Sequence, residues 1–282
     1  MNDSRKWKEV ITPVTSIWSL PLREIWKYRD LLVLWMQRDI NSIYKQTILG
    51  PVWFILQPVL TTAIYFIIFT KLGNFSTGGL PPFLFYFSGI MLWSYFAESL
   101  AKTSTFFKDN SQIVSKVYFP KLIIPISLVL TNFVKFGIQF SLFLLIYIYY
   151  LVTETIVHPN GFILLFPVLL LLIAGLGLGL GMIISSLTTR YKDLVHLITF
   201  GIQLLMFMSP VFFPVATIAS SYKWLILANP MTGIIETFRY AFTGKGYFSW
   251  ALLSYDTACM LFFLLIGVLV FNAVEKDAID TI

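Results

Sequence analysis

The sequence predicts an all-α integral membrane protein with six transmembrane helices. An amphipathic helix precedes the first span, and a re-entrant hairpin separates the fifth from the sixth. The 282 residues are 57% hydrophobic and only 12% charged, whereas a soluble domain carries about twice that charge. Six apolar stretches are long enough to cross a hydrocarbon core of about 30 Å. These stretches are residues 48–70, 83–101, 122–152, 162–187, 194–213 and 249–272.

The first element is an amphipathic helix over residues 22–45. At about 100° per residue, one face is apolar and carries Ile25, Tyr28, Leu32, Trp35, Met36 and Ile43. Such a helix lies in the plane of the membrane surface or packs under a membrane bundle. Gly50-Pro51 marks the turn into the first span, because proline is tolerated in a first helical turn. Residues 1–47 are therefore a cytoplasmic N-terminus and 48–282 a single transmembrane domain, with interface residues Arg38, Asp39, Tyr44, Lys45 and Gln46.

Lysine and arginine set the predicted orientation. Fifteen of these residues fall on the side that holds both termini and 4 on the other side, with Lys135 inside a span. The positive-inside rule therefore places both termini in the cytoplasm. The basic residues follow membrane topology, which argues against a nucleic-acid partner. Residues 10–20 are too polar for the core of a cleavable signal peptide.

The third apolar stretch, residues 122–152, is long for one crossing, so it is tilted or extends beyond the bilayer.

Residues 214–248 form the predicted hairpin. Prolines and glycines break this moderately apolar segment, which also carries Glu236 and Arg239. Two short helices joined at Asn229-Pro230 would dip into the outer face beside a translocation path, where protein or water covers irregular backbone. An ordinary amphipathic loop is the alternative.

The fourth span contains alternating glycines from Gly175 to Gly181. No strand precedes them, so a nucleotide-binding glycine loop is disfavoured. The pairs 175/179 and 177/181 have the small-xxx-small spacing that lets membrane helices approach closely. We therefore predict helix packing here.

Several motifs occur in an order that resembles a known family. They are Trp26–Leu32, Arg38-Asp39-Ile40, Tyr44–Pro51, Trp53, Gln57-Pro58, Asn110–Pro120, Thr189–Asp193, Ser209-Pro210 and Asn229-Pro230 with Arg239. The chain resembles the membrane subunits of ABC transporters that export cell-surface polysaccharides, namely the O-antigen and teichoic-acid permeases. The resemblance implies a homodimer in the cytoplasmic (inner) membrane that binds two copies of a separate ATPase. It also implies a cargo glycan on a polyprenyl-diphosphate carrier.

Energy coupling is assigned to two cytoplasmic segments. The sequence has no Gly-x-x-x-x-Gly-Lys-[Ser/Thr] loop, so ATP and Mg would bind the partner and this chain would hold no cofactor. In the 102–121 loop, helix-capping residues precede a short apolar helix that could dock on the ATPase. The resemblance implies a coupling helix here; a solvated loop helix is the alternative. Together with the smaller 188–193 turn, the assigned residues are Asn110, Gln112, Ile113, Val114, Lys116, Arg190 and Lys192.

Ionisable residues suggest no enzyme chemistry. His158 and His196 lack partners for a metal site. Glu98 and Lys135 lie at membrane depth and should face the bundle or a wet cavity. The rise of a helix per residue places these two residues about 12 Å apart in membrane depth, which disfavours an ion pair. Lys135 could instead attract a diphosphate or extend to the interface.

Aromatic residues are candidates for a sugar-conducting surface. Rings stack on the apolar faces of sugars, and the resemblance implies that the first and fifth spans line the pore. The predicted channel residues are Trp53, Tyr65, Phe69, Met206 and Phe207. Interfacial aromatic belts and ordinary packing are the alternatives.

The predicted function is that of a permease subunit, without its own nucleotide site, in an ATP-driven exporter of lipid-linked polysaccharide. A capsule or drug exporter of the same superfamily is one alternative. A membrane enzyme of glycan assembly is another, although the loops lack clustered acidic residues or histidines. A structural scaffold would require neither an ATPase nor a carrier lipid.

Overall fold

A computed structural model describes residues 22–45, 50–110, 119–153, 157–191 and 193–281, and the regular elements in these ranges are helical, with no strand. The helices at the N-terminal side are α1 (Leu22–Lys27), α2 (Arg29–Lys45), α3 (Trp53–Tyr65, continued by a π-helical segment Phe66–Leu72), α4 (Pro82–Ser104) and α5 (Phe106–Asp109). They are followed by α6 (Ile123–Thr153), α7 (Phe166–Arg190), α8 (Leu194–Phe207), α9 (Ser220–Leu227), α10 (Pro230–Thr243) and α11 (Trp250–Thr281).

Four helical stretches in the described ranges are long and apolar enough to cross a membrane: Trp53–Leu72, Ile123–Thr153, Gly161–Thr189 and Trp250–Val274. They correspond to the predicted first, third, fourth and sixth spans. The predicted second span corresponds to α4, a helix of 23 residues whose apolar run is interrupted by serines and Glu98. The fifth falls on α8, which has 14 residues. This helix is shorter than predicted because the chain turns at Met208, and the backbone N–H of Val211 donates to Ser209 O at 2.7 Å.

The glycines of α7 bring two neighbouring helices into close contact. A Cβ atom added at Gly179 would lie 2.6 Å from the backbone nitrogen of Leu264 on α11. On the opposite face, a Cβ at Gly181 would lie 2.5 Å from Thr103 Cβ on α4. Gly175 likewise faces α11, and Gly177 faces α4. The predicted packing role is confirmed, and it serves two different partners.

An aromatic core fills the space between α4, α6, α7 and α10. Phe143 lies 5.2 Å from Phe238 and 5.5 Å from Phe242, between ring centres. Phe166 on α7 lies 4.5 Å from Phe140 on α6. α10 contributes Phe238 and Phe242 to this core and is packed against rings of α6 and α7. It is therefore buried in the bundle along nearly its whole length.

A second hydrophobic core lies at the opposite end of the bundle, and we call it the inner cluster. It joins α2, α5, α7 and α11 to the first residues of α6. Trp35 is buried there, so the predicted apolar face of the amphipathic helix is the face that packs. The inner cluster consists of Trp35, Phe106, Phe107, Phe119, Leu122, Ile123, Ile124, Met182 and Phe271.

We predict that Gly179→Ala lowers the thermal unfolding temperature of the detergent-solubilised protein. The added methyl group would collide with the α11 backbone, and overpacking of this kind costs about 1–3 kcal/mol.

Gly137→Ala on α6 is the matched control. No heavy atom lies within 4 Å of a Cβ placed there, and alanine is favoured over glycine in a helix by about 1 kcal/mol. An equal loss of stability in both variants would contradict the close-contact interpretation.

Candidate functional site

Four aromatic rings meet where the π-helical segment after α3 approaches the end of α8. The centre of the Phe212 ring lies 4.9 Å from Tyr65 and 5.0 Å from Phe69. Phe207 stacks on Phe212 at 5.1 Å. The structure therefore brings together three predicted channel residues, Tyr65, Phe69 and Phe207. The ring that joins them, Phe212, is buried and was not among the predicted site residues.

The other two predicted channel residues lie differently. Met206 is partly buried and packs against the main hydrophobic core. Trp53 is exposed at the start of α3, twelve residues before Tyr65, so about 18 Å of helix separates them. Trp53 is thus not part of the aromatic group.

Exposed apolar side chains lie on the helices that carry the aromatic group. These side chains come from α3, its π-helical continuation and α8, and we call the set the α3–α8 face. Phe207 is 59% exposed within it. The larger exposed members are Leu60, Ile64, Ile67, Ile68, Leu197, Phe200, Leu204 and Phe207.

Arg239 on α10 is a buried anchor at the end of the bundle opposite the inner cluster. Its guanidinium Nη2 donates to the carbonyl of Phe85 on α4 at 3.0 Å, and Nε donates to Ser88 Oγ at 3.3 Å. Nη1 donates to the carbonyl of Pro210 in the turn after α8. The group also lies 3.6 Å from the centre of the Phe85 ring. One side chain therefore ties α10 to α4 and to the end of α8.

Glu236 completes this anchor. Its Oε1 lies 3.3 Å from Arg239 Nη1, and its Oε2 accepts a hydrogen bond of 2.8 Å from the backbone N–H of Tyr247. Both ionic side chains are almost fully buried. The two residues assigned from sequence to the hairpin thus form an ion pair, and because their donors and acceptors are used within the protein, the pair holds the α9–α10 segment in place.

Asn229 fastens the start of α10 to the same turn. Its Oδ1 accepts from the backbone N–H of Met231 at 3.0 Å, which is an N-cap bond. Its Nδ2 donates to Ser209 Oγ at 3.0 Å. The Ser209-Pro210 and Asn229-Pro230 motifs thus contact each other directly.

Glu98 and Lys135 form an ion pair, with Lys135 Nζ 2.7 Å from Glu98 Oε2. The predicted 12 Å separation in depth was wrong. Lys135 Nζ lies 5.4 Å from the centre of the Phe54 ring, and Phe54 is in the first turn of α3. Lys135 therefore lies near the level at which α3 begins. The twelve residues of α6 before Lys135, about 18 Å of helix, extend beyond that end of α3.

The described members of the predicted interface and coupling sets lie beside residues of the inner cluster. Arg38 donates to Asp39 Oδ1 at 2.6 Å and lies 3.8 Å from the centre of the Trp35 ring. Asn110 Nδ2 donates to Phe106 O at 3.1 Å. The remaining predicted coupling and interface residues are only partly described. Tyr44, Lys45 and Arg190 end their helices, without described side chains, and Gln46, Gln112, Ile113, Val114, Lys116 and Lys192 lie outside the described residues.

The two predicted coupling segments start from neighbouring points. Thr188 Oγ1 near the end of α7 donates to the carbonyl of Ser104 at the end of α4, at 2.9 Å. Phe106 and Phe107 before the 110–118 segment, and Phe119 after it, belong to the inner cluster. The bases of both segments are therefore joined to one packed unit.

Asp256 is a buried acidic residue that the sequence reasoning missed. It lies on α11, within the predicted sixth span, and is fully buried. Neither carboxyl oxygen has a hydrogen-bond partner among the described residues. A Cβ atom at Gly233 on α10 would lie 1.9 Å from Asp256 Oδ2. The available signal was a charged residue inside an apolar stretch, which marks a functional or structural contact in membrane helices.

In the described residues, a helical bundle with four apolar helices long enough to cross a membrane, a buried polar anchor at one end and a packed cluster at the other defines a membrane-embedded domain. Residues 30–243 match the family described as ABC-2 type transporter, so the chain belongs to that family. The resemblance to membrane subunits of polysaccharide-exporting ABC transporters is confirmed at this level.

Two relatives extend the comparison along most of the chain. The O-antigen export system permease protein RfbA of Myxococcus xanthus is 30% identical over 223 residues, which cover 78% of this chain and 83% of that protein. A protein of the same name from Klebsiella pneumoniae is 26% identical over 247 residues, covering 87% of this chain and 92% of that protein.

We predict that Arg239→Met destabilises the protein far more than Arg239→Met combined with Glu236→Gln. The single change leaves an uncompensated buried carboxylate, which costs about 3–5 kcal/mol. The double change removes both charges. Thermal unfolding in detergent measures the difference, and equal unfolding temperatures for the single and double variants would contradict the assigned ion pair.

Proposed function

We propose that this chain is the permease subunit of an ATP-driven exporter of a surface polysaccharide of the O-antigen type. The observation that carries the proposal is the match to O-antigen export permeases over most of both chains. The aromatic group on an exposed apolar face supports it, because rings that stack on sugars suit a polymer passing through many similar contacts. The cargo is a glycan linked to a polyprenyl diphosphate.

We further propose that six helices cross the membrane. The outer end of α4 contacts Arg239 through Phe85, and its inner end contacts Thr188 on α7 through Ser104. α8 begins after the inner end of α7 and ends beside Pro210, whose carbonyl also accepts from Arg239. α4 and α8 therefore connect the same two ends of the bundle, which supports adding them to the four apolar spans.

The α9–α10 segment is then a re-entrant hairpin on the outer side. Its corner lies beside Ser209, to which Asn229 donates, and near its end the carbonyl of Ala241 accepts from the N–H of Asn160, at 3.1 Å. Asn160 precedes α7 on the outer side. Both termini are then cytoplasmic, with α1 and α2 at the inner membrane interface.

The pore forms between two copies of the chain. We place the pairing surface on the α3–α8 face because that face carries the aromatic group at its edge. Pairing two such faces would place Tyr65, Phe69 and Phe207 of each subunit beside a shared path. Two copies of a separate ATPase bind the cytoplasmic side and hold ATP and Mg.

Deletion of the gene followed by lipid extraction tests the cargo. We expect a polyprenyl-linked glycan to accumulate on the cytoplasmic side, and complementation with the intact gene to remove it. Normal surface polysaccharide with no accumulated lipid-linked glycan would contradict the proposal.

We predict that Ile113→Asp with Val114→Asp abolishes co-purification of the ATPase, because charges would disrupt an apolar docking helix. Lys108→Asp is the matched control, since Lys108 is exposed just before the predicted docking segment. Retained ATPase binding by the double variant would remove the coupling assignment.

A further inference from the structure

The final helix contacts the base of the main coupling segment. The ring of Phe271 on α11 stacks on Phe107 at 4.9 Å between centres and lies 5.4 Å from Phe106. These two residues precede the 110–118 segment, and Phe119, which follows it, is buried in the same inner cluster. A displacement of the base of this segment would therefore reach α11 through Phe271.

The next contact along α11 is between backbones. Gly267 lies one helical turn before Phe271, and a Cβ atom added there would lie 2.5 Å from Gly179 O on α7. Because no side chain separates the two helices at this point, no rotamer change can absorb a shift. The inner ends of α7 and α11 are therefore expected to move together.

The other end of α11 contacts the α9–α10 hairpin. Tyr255 Oη donates to the carbonyl of Ala228, at the corner between α9 and α10, at 2.8 Å. Asp256 packs directly against Gly233 of α10. Sixteen residues of continuous helix separate Tyr255 from Phe271, which is about 24 Å. One helix thus joins the inner cluster to the outer hairpin.

A second connection to the hairpin is α4. Thr105 joins Phe106 to one end of this helix, and Ser88 near its other end accepts a hydrogen bond from Arg239. A hairpin held by one helix alone can rotate about that contact. Attachment to two rigid helices makes it follow both. Loss of the Phe271 contact should therefore disconnect the attachment through α11 without opening the Arg239 anchor.

We propose that Phe271 is a positioning residue for energy coupling, and that α11 transmits movement from the inner cluster to the outer hairpin. This inference rests on the proposed function, because it takes the push to come from an ATPase bound at the 102–121 loop. Phe271 acts through Phe106 and Phe107 and contacts neither nucleotide nor cargo.

The test uses the complete complex of permease and ATPase in proteoliposomes. A reporter variant combines Cys259→Ser, which removes the chain's one cysteine, with Ser221→Cys at an exposed position of α9. In this background we expect thiol labelling at position 221 to change with ATP. Phe271→Ala should keep ATP hydrolysis within about twofold, reduce glycan export about tenfold, and abolish the ATP-dependent change in labelling.

Phe262→Ala is the matched control, because it removes a phenylalanine from the same helix at a position that is 58% exposed. It should behave as the reporter variant does. Phe271→Leu retains apolar bulk without the stacked ring, and it replaces the alanine variant if that variant does not assemble. We expect the leucine variant to assemble and to show the same loss of export per ATP hydrolysed.

Two results would overturn the inference. One is an unchanged ratio of export to hydrolysis in the Phe271 variants. The other is a parallel loss of assembly, hydrolysis and export in both variants, which would make Phe271 an ordinary core residue. Failure of the proposed function is distinguishable, because then the reporter complex with intact Phe271 would itself fail to form or to export glycan.

Discussion

The backbone contact between α7 and its two neighbours is the constraint on which the rest of the structure depends. Within a bilayer, lipid tails are as apolar as leucine side chains, so burial of apolar surface gives helices little reason to associate. Close approach through glycine replaces that driving force with dispersion contacts. Gly179 against α11 and Gly181 against α4 set the spacing of three helices. The aromatic core then fills the half of the bundle that holds α10, and the inner cluster closes the opposite end.

Polar anchoring at the end of the bundle that holds Arg239 follows from the end of a helix. α8 stops at Phe207, and the turn that follows leaves carbonyl groups of Pro210 and Val211 without helical partners. Such groups must be satisfied inside the protein when water is excluded. Arg239 supplies donors to both carbonyls and to Phe85. Its positive charge is compensated by Glu236, so the hairpin carries a satisfied polar network where a single charge would be costly.

Local pattern in the sequence was sufficient for features that depend on one helix at a time. The glycine spacing in α7 and the apolar face around Trp35 were both predictable, because helical periodicity fixes which residues share a face. The Glu98–Lys135 pair was not, since its geometry depends on how far α6 extends below α3. Phe212 and Phe271 were also missed: each is one apolar residue among many, and only contacts between distant helices distinguish them. Asp256 was missed as well, although a charged residue in an apolar run is a signal that the sequence contains.

The proposed function makes this chain a path for glycan that is driven by ATP hydrolysis on a separate subunit. Purified chain reconstituted in liposomes with a polyprenyl-diphosphate-linked glycan, with and without the ATPase subunit, tests this most directly. The quantity to measure is glycan that crosses the bilayer per ATP hydrolysed. We expect transfer and hydrolysis only when both subunits and ATP are present. Nucleotide hydrolysis by the permease alone, or glycan transfer without the second subunit, would contradict this division of roles.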